Sequence, residues 1–146
     1  MKTTVRATVT INRPPEEVAS VLLDAEKAVT WTSDLQRFEV LHRPPGLVGS
    51  RARLHYVQDG RPYVMEDTLL EVEPNRRFLS RVTGDAIEAE VETILDPTNG
   101  GTRMTVRWSG RGKPFVLRLI LPFVRKSIKR QTLRDLMKLK ALVESQ

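Results

Sequence analysis

RARLHYVQDGRPYVMED, the stretch from Arg51 to Asp67, decides the fold because it contains the clearest hairpin signal in the chain. Asp59-Gly60 favours a two-residue turn between antiparallel strands, since such turns need residues that tolerate positive φ. With the turn closed there, one face of the hairpin carries the cross-strand pairs Tyr56–Tyr63, Leu54–Met65 and Ala52–Asp67. The other face pairs Arg53 with Glu66. A hairpin with one apolar side and one charged side predicts a second layer that covers the apolar side.

Further hairpins extend this sheet towards the C-terminus. Turn residues at Pro74-Asn75, Gly84-Asp85 and Asn99-Gly100 separate runs with a period of two. The predicted inner-face pairs are Leu69–Ser80, Glu71–Phe78, Val82–Ile87, Ser80–Ala89, Phe78–Val91, Leu95–Met104 and Val91–Trp108. The predicted outer-face pairs are Arg81–Glu88, Arg77–Glu92, Glu92–Arg107 and Asp96–Arg103. Because a slip of one residue would move charges onto the apolar face, this register predicts a meander of about six strands.

The N-terminal segment supplies one more strand and two short helices. Thr3 to Ile11 alternates between apolar and polar residues, which is typical of a half-buried strand. Pro15, followed by two glutamates, suits the first turn of a helix, and apolar spacing extends that helix to about Asp24. A second helical turn is predicted over Ala25–Trp31.

A long amphipathic helix is predicted at the C-terminus. Gly110, Gly112 and Pro114 end the last strand, and a helical pattern then continues to about Glu144. Its apolar stripe consists of Leu121, Val124, Ile128, Leu136, Leu139 and Val143, widened by Leu133, Met137 and Leu142. Pro122 lies inside the pattern, so we expect a kink or a new helix start there. The sequence therefore predicts an α+β fold in which a curved antiparallel sheet of about seven strands surrounds this helix.

The charge of the chain is concentrated on this helix. The net charge is +6, and the only acidic residue between Lys113 and Lys140 is Asp135. The basic face is either a solvated helix surface or a surface for weak contact with anionic lipid headgroups. Nucleic acid is not expected as a partner, because no aromatic stacking platform accompanies the charge.

Composition excludes several classes of function. The chain of 146 residues has no cysteine, which excludes disulfides and thiolate chemistry, and its length suits a single domain, 1–146. The only histidines are His42 and His55, too few for a metal site, and the glycines match neither a dinucleotide-binding nor a P-loop motif. We therefore expect no metal and no cofactor. The sequence shows no signal peptide or membrane span, so a cytoplasmic location is expected, as a monomer or a homodimer.

Several phrases resemble the SRPBCC superfamily, which contains START lipid-transfer domains, birch-pollen-allergen-like proteins and aromatic polyketide cyclases. The phrases are VTINRPPEEVASVLLDAEKAVTW (Val9–Trp31), FEVLHRPPGLVGSRARLHY (Phe38–Tyr56), DTLLEVEPNRRFLSRV (Asp67–Val82) and LRDLMKLKALVE (Leu133–Glu144). Bacterial members most similar to this chain are labelled polyketide cyclase/dehydrase-like. The resemblance implies a helix-grip fold with an apolar cavity between sheet and helix, and it implies binding or cyclisation of a hydrophobic molecule. These phrases specify scaffold and contain no catalytic signature.

Within such a cavity, the predicted register selects the ligand-binding candidates. They are Leu54, Tyr56, Tyr63, Met65, Asp67, Leu69, Phe78, Ser80, Val82, Ala89, Val91, Met104, Val106 and Trp108, with Trp31 as a candidate gate. Asp67 is the candidate catalytic residue, because a carboxylate on an apolar face has a raised pKa and can act as a general acid or base.

Three functions remain open at this point. The favoured one is a carrier or sensor of a hydrophobic small molecule, because the inner face is almost wholly apolar. The alternatives are a cyclase/dehydratase-like enzyme that uses Asp67, and a membrane or partner-binding module that acts through the basic helix.

Overall fold

The computed structural model describes residues 2–113 and 124–146. The elements in chain order are β1 (Thr3–Ile11), α1 (Pro15–Leu22), α2 (Ala25–Trp31), β2 (Leu35–His42), β3 (Arg51–Gln58), β4 (Arg61–Glu73), β5 (Arg77–Thr83), β6 (Ile87–Thr98), β7 (Gly101–Gly112) and α3 (Arg125–Glu144). The strands form one antiparallel, open and curved sheet in the order β1-β7-β6-β5-β4-β3-β2. The predicted α+β helix-grip fold is therefore confirmed, with two short helices between the first two strands.

The hairpin between β3 and β4 has the predicted register throughout. Tyr56 pairs with Tyr63, and Ala52 pairs with Asp67. Asp59 and Gly60 both have positive φ, 52° and 75°, as the two-residue turn requires. The register of the β6–β7 hairpin is also confirmed, with Leu95 opposite Met104. In both hairpins the local turn chemistry is sufficient to fix the pairing.

A β-bulge between Leu69 and Glu71 corrects the prediction for the β4–β5 hairpin. Leu69 pairs with Ser80 as expected, but Glu71 then pairs with Leu79, and Val72 takes the place opposite Phe78. The extra residue reverses the alternation beyond it, so Glu71 lies on the outer face. Its carboxylate is 2.9 Å from Nη1 of Arg77. Val72, which the sequence analysis left out of the inner face, packs against the core instead.

The β5–β6 hairpin differs from its predicted register by two residues. Val82 pairs with Ala89 and not with Ile87, and the Gly84 amide donates to the Ile87 carbonyl, 2.9 Å away. The turn is therefore centred on Asp85-Ala86. Because a shift of two residues preserves the alternation, every side chain stays on its predicted face, although each cross-strand partner changes.

Gly84 was predicted to form the turn between β5 and β6, but the structure gives a different reason for a glycine at this position. It is not among the residues with positive φ. A Cβ at this position would collide with the Met65 sulfur, which occupies the space above the glycine. Gly84 therefore makes room for an inner-face side chain and does not form the turn.

Helix α3 lies along the edge strand β1. Arg125 Nε donates to the Thr4 carbonyl at 2.8 Å, and Lys140 Nζ donates to the Thr10 carbonyl at 2.7 Å, so helix and strand run in the same direction. Near the helix end, the carboxylate of Glu144 accepts a hydrogen bond of 2.8 Å from the Asn12 amide. These contacts hold both ends of the helix against the edge of the sheet at β1.

The buried stripe of α3 is narrower than predicted. Leu136, Leu139 and Val143 are buried. Leu133 and Met137 are 37% and 55% exposed, so the prediction that they widen the stripe is wrong. The expected kink at Pro122, together with Leu121, lies outside the described residues.

The core is divided into two clusters of buried side chains. The first cluster joins β1, α1, the inner residues of β6 and β7, and α3, and it includes Ile11, Val18, Leu95, Met104 and Leu139. The second cluster is smaller and consists of Ala28, Leu35, Ala52 and Leu54, which come from α2, β2 and β3. The inner face of the sheet between the two clusters is the region that the site occupies.

Candidate functional site

The centre of the inner face is only half-buried. Four inner-face residues of β4, β5 and β7 lie in neither cluster and keep part of their surface exposed: Asp67, Ser80, Val82 and Trp108. Asp67 is directly opposite Val82, and Ser80 is joined to Trp108 through Val91, which pairs with both. We call these four residues the inner-face gap. A half-buried surface that combines apolar side chains with a few polar groups, between two packed clusters, is a place where a ligand can add the missing contacts.

Asp67 is the titratable group of the inner-face gap. Burial raises the pKa of its carboxyl group from the ordinary value of 3.8 to about 6, and a hydrogen bond with the Ser80 side chain opposes that rise. Ser80 belongs to the adjacent strand, diagonally across from Asp67. A carboxyl group with a pKa near 6 exchanges a proton at neutral pH, so it can accept a proton from a ligand or donate one to it.

Tyr56 and Tyr63 stack on each other across the β3–β4 hairpin. Their ring centroids are 4.9 Å apart and the ring planes differ by 8°. Burial raises the pKa of both hydroxyls, so both are neutral donors at physiological pH. Tyr56 is half-buried beside the second cluster, whereas Tyr63 is 40% exposed. The pair forms an aromatic surface that reaches from the core to solvent.

Trp31 ends helix α2 and carries a buried donor. Its ring packs against the first cluster, whereas Ala28, one turn earlier, belongs to the second, so α2 connects the two clusters. Within the part of the chain that the structure describes, the buried Nε1 atom of Trp31 has no hydrogen-bond acceptor. A buried unpaired N–H is uncommon in folded proteins and costs about 1–3 kcal/mol. The prediction of a gate at Trp31 remains a prediction.

Trp108 adopts its position because the next inner-face residue on β7 is a glycine. A Cβ on Gly110 would lie 2.5 Å from Cη2 of the indole, so the ring lies over the glycine backbone. Gly110 itself is buried. A larger side chain at residue 110 would therefore displace the indole within the inner-face gap.

A contact between Ser33 and Asp135 joins α3 to the segment between α2 and β2. The Ser33 amide donates to Oδ1 of Asp135 at 3.1 Å, and the Ser33 hydroxyl donates to the same oxygen through a very short hydrogen bond. Burial raises the pKa of Asp135, while the hydrogen bonds from Ser33 lower it. Neither residue was a site candidate in the sequence analysis, although Asp135 is the only acidic residue in a strongly basic segment.

A polar cleft lies where α3 meets this segment and the end of β3. It has a volume of about 370 Å³ and is lined by Ser33, Asp34, Gln58, Ser127, Arg130, Gln131, Arg134 and Lys138. We call it the cationic cleft. A second, more open hollow of about 550 Å³ lies at the junction of α1 and α2, and its lining includes Leu23, Asp24 and Arg43.

The predicted ligand-binding residues fall into three groups by exposure. Leu54, Phe78, Ala89, Met104 and Val106 are buried and pack the core. The half-buried candidates are Trp31, Tyr56, Met65, Asp67, Leu69, Ser80, Val82, Val91 and Trp108. Tyr63 is exposed. The half-buried group is the one that a ligand could contact without displacing the core, and its role in binding stays a prediction.

The described residues contain no metal-binding constellation. Within residues 2–113 and 124–146, no three side chains of the types that bind metals lie close enough together to hold an ion. His55 Nε2 donates to Oε1 of Glu39 at 2.9 Å, and this contact lowers the pKa of the glutamate. No helix in the same described ranges is both long and apolar enough to cross a membrane.

Comparison with known proteins yields a family and several similar structures. The family model described as polyketide cyclase / dehydrase and lipid transport matches residues 2–144. An aromatase/cyclase from Streptomyces sp. R1128 has 18% identity and a TM-score of 0.81, covering 99% of this chain and 94% of its own. A START superfamily protein from Mycobacterium smegmatis has 19% identity and a TM-score of 0.80, covering 97% of each chain. A protein from Thermus thermophilus has 22% identity and a TM-score of 0.79, covering 98% of each. No curated protein sequence matches the chain.

Proposed function

Because the chain belongs to the polyketide cyclase / dehydrase and lipid transport family, we propose that it binds a hydrophobic small molecule as a carrier or sensor. A lipid, a polyketide or an aromatic compound fits the chemistry of the inner face. The observation that carries this proposal is the inner-face gap, which remains half-buried between two packed clusters. Covering that surface with apolar ligand atoms contributes about 25 cal/mol for each Å² removed from water.

Polar groups at Trp31 and within the inner-face gap support a ligand with a carbonyl or hydroxyl group. The buried Nε1 of Trp31 is a donor without an acceptor in the described chain. A ligand oxygen at this position would remove the cost of the unpaired donor. Asp67 and Ser80 supply a second polar point inside the apolar surface. A few convergent polar groups in an apolar site are typical of small-molecule binding.

Two measurements test this proposal. Native mass spectrometry of the purified protein, followed by denaturation, identifies any small molecule that copurifies. A titration with the neutral fluorescent probe N-phenyl-1-naphthylamine measures binding directly. Absence of both a copurified molecule and probe binding would contradict the proposal.

A variant that fills the inner-face gap tests whether the probe binds there. Val82→Trp adds a large ring inside the inner-face gap, and we expect at least tenfold weaker binding of N-phenyl-1-naphthylamine. The matched control is Leu79→Trp, on the outer face of the same strand, for which we expect a change of less than twofold. Equal binding by both variants would place the probe elsewhere.

A second function is favoured by the raised pKa of Asp67. In a cyclase, the Asp67 carboxylate would remove a proton from a carbon between two ketide carbonyls, and the resulting enolate would attack a third, more distant carbonyl to form a C–C bond. The alkoxide would take up a proton, and loss of this hydroxyl with a neighbouring hydrogen as water, followed by enolisation, would give the aromatic ring. Both the pKa near 6 and the position on an apolar surface suit this role. The cyclase function differs from the carrier function only in requiring turnover of the bound molecule.

The variant Asp67→Asn distinguishes the two functions. The assay follows the ultraviolet absorbance of aromatic products formed from a synthetic poly-β-keto thioester. If the protein is a cyclase, we expect turnover in the natural protein, at least a hundredfold loss in Asp67→Asn, and affinity for N-phenyl-1-naphthylamine within about threefold. If it is a carrier, neither form produces aromatic product above the rate in buffer.

A further inference from the structure

The cationic cleft contains three basic side chains on one face of α3. Arg130, Arg134 and Lys138 follow each other at intervals of four residues, which places them on successive turns. Like charges at this spacing repel each other and destabilise a helix by a few tenths of a kcal/mol per pair. Their shared position is therefore unfavourable unless an anion lies among them.

These three cations have no ion-pair partner among the residues that the structure describes. No carboxylate within residues 2–113 and 124–146 comes within 4.0 Å of them, and none of them makes a hydrogen bond there. Some other basic groups of the described residues do form close ion pairs, such as Arg77 with Glu92 at 2.7 Å and Lys140 with Glu144 at 2.7 Å.

The acidic groups at the cleft do not neutralise it. Asp34 is the only carboxylate that lines the cleft, against three cations. Asp135 feels Lys138 and Arg134 at longer range, and both lower its pKa, but its Oδ1 atom is engaged by the amide and hydroxyl of Ser33. The remaining lining groups that can donate to an anion are the Ser127 hydroxyl and the amides of Gln58 and Gln131, since the Ser33 hydroxyl already donates to Asp135.

Strand β3 links the cleft to the inner face of the sheet. Alternation along β3 places Ala52, Leu54, Tyr56 and Gln58 on the same face. Ala52 and Leu54 lie in the second cluster, Tyr56 stacks on Tyr63, and Gln58 lines the cleft. One face of one strand therefore connects the apolar interior, the aromatic pair and the cationic cleft.

We propose that the cationic cleft binds the anionic group of an amphipathic small molecule whose apolar part lies along the inner face. The group is a carboxylate, sulfonate or phosphate, held by Arg130, Arg134 and Lys138. This inference rests on the proposed ligand-binding function and restricts it to acidic hydrophobic ligands. Guanidinium groups suit such anions because they donate two parallel hydrogen bonds to two oxygens.

A matched pair of probes tests the inference. 1-Anilinonaphthalene-8-sulfonate and N-phenyl-1-naphthylamine have the same apolar body, and only the first carries an anion. We expect the sulfonate to bind the natural protein at least tenfold more tightly than the neutral probe. In the variant R130Q/R134Q we expect that preference to fall to less than threefold, with neutral-probe affinity unchanged.

A charge-matched variant controls for general electrostatics. K126Q/K129Q removes two cations from the same helix at exposed positions outside the cleft, and it should retain the sulfonate preference within twofold. Glutamine is a good helix former, so both variants should keep the thermal midpoint of the natural protein within about 2 °C.

The possible outcomes separate the inference from the function on which it rests. If neither probe binds the natural protein, the proposed function itself fails. If both probes bind equally, the ligand-binding function stands and the anion inference is overturned. The inference is also overturned if R130Q/R134Q loses binding to phosphatidylglycerol vesicles but keeps its sulfonate preference, because the cations then serve a membrane surface.

Discussion

Replacing Asp67 by asparagine tests the electrostatics of the inner-face gap through protein stability. Burial favours the protonated carboxyl group in the folded state, where its pKa is about 6, compared with an ordinary value of 3.8 in the unfolded chain. Between these two values the folded state holds more protons than the unfolded state. The free energy of unfolding therefore falls as pH rises from about 4 to about 6 and is constant outside that range, as far as this residue contributes.

The size of the effect follows from the pKa difference. A rise of roughly two units corresponds to about 3 kcal/mol at 1.36 kcal/mol per unit. Asp67 is half-buried, so this figure is an upper limit. Asparagine has a similar shape, keeps an oxygen that can accept from Ser80, and has no charge to desolvate. At pH 7 we expect Asp67→Asn to be more stable than the natural protein by about 1–3 kcal/mol.

Urea unfolding at pH 4, 5, 6, 7 and 8 measures this difference. The two proteins should be nearly equal in stability at pH 4, diverge up to about pH 6, and stay parallel above it. At neutral pH the midpoint of thermal unfolding should rise by roughly 3–12 °C in the variant. Glu66→Gln, at the adjacent outward-facing position, is the control and should change the free energy of unfolding by less than about 0.5 kcal/mol. A stability difference that does not change with pH, or that grows towards pH 4, would refute the reasoning.

Two further substitutions test other features of the site. Gly110→Ala should displace the indole of Trp108, and we expect the free energy of unfolding to fall by about 1–3 kcal/mol. In a Trp31→Phe background, the fluorescence emission of the remaining tryptophan, Trp108, should shift to the red. Unchanged emission would mean that the position of the indole does not depend on the glycine. Ser33→Ala removes the hydroxyl donor from Asp135. We expect the free energy of unfolding to fall by about 1–3 kcal/mol and amide hydrogen exchange to become faster in the segment between α2 and β2. Equal exchange rates in both proteins would contradict the idea that the Ser33–Asp135 contact fixes this segment to α3.

The elements that the sequence predicts well are those defined by local chemistry. Asp59-Gly60 fixes the β3–β4 register because both residues adopt the positive φ that the turn needs. Pro15 and the glutamates that follow it begin α1 as expected, and α2 covers Ala25–Trp31 as predicted. In each case the determinants lie within a few residues of the feature.

The features that the sequence did not reveal depend on contacts between distant segments. The bulge after Leu69 has no glycine to mark it, and it reverses the faces of Glu71 and Val72. Ser33 and Asp135 are 102 residues apart, so no periodic pattern connects them. The cationic cleft likewise combines residues from α3, β3 and the α2–β2 segment, and only the folded chain brings them together.

The two edge strands of the open sheet, β1 and β2, bear on whether the protein polymerises at high concentration. On β1, Arg125 and Lys140 occupy the carbonyl oxygens of Thr4 and Thr10, which a foreign strand would otherwise bind. On the opposite margin, β2 departs from regular pairing at two points, between Leu35 and Arg37 and again before His42. Irregular or covered edge strands disfavour the addition of another chain. Neither edge of this sheet therefore presents a regular, unoccupied strand to a second chain.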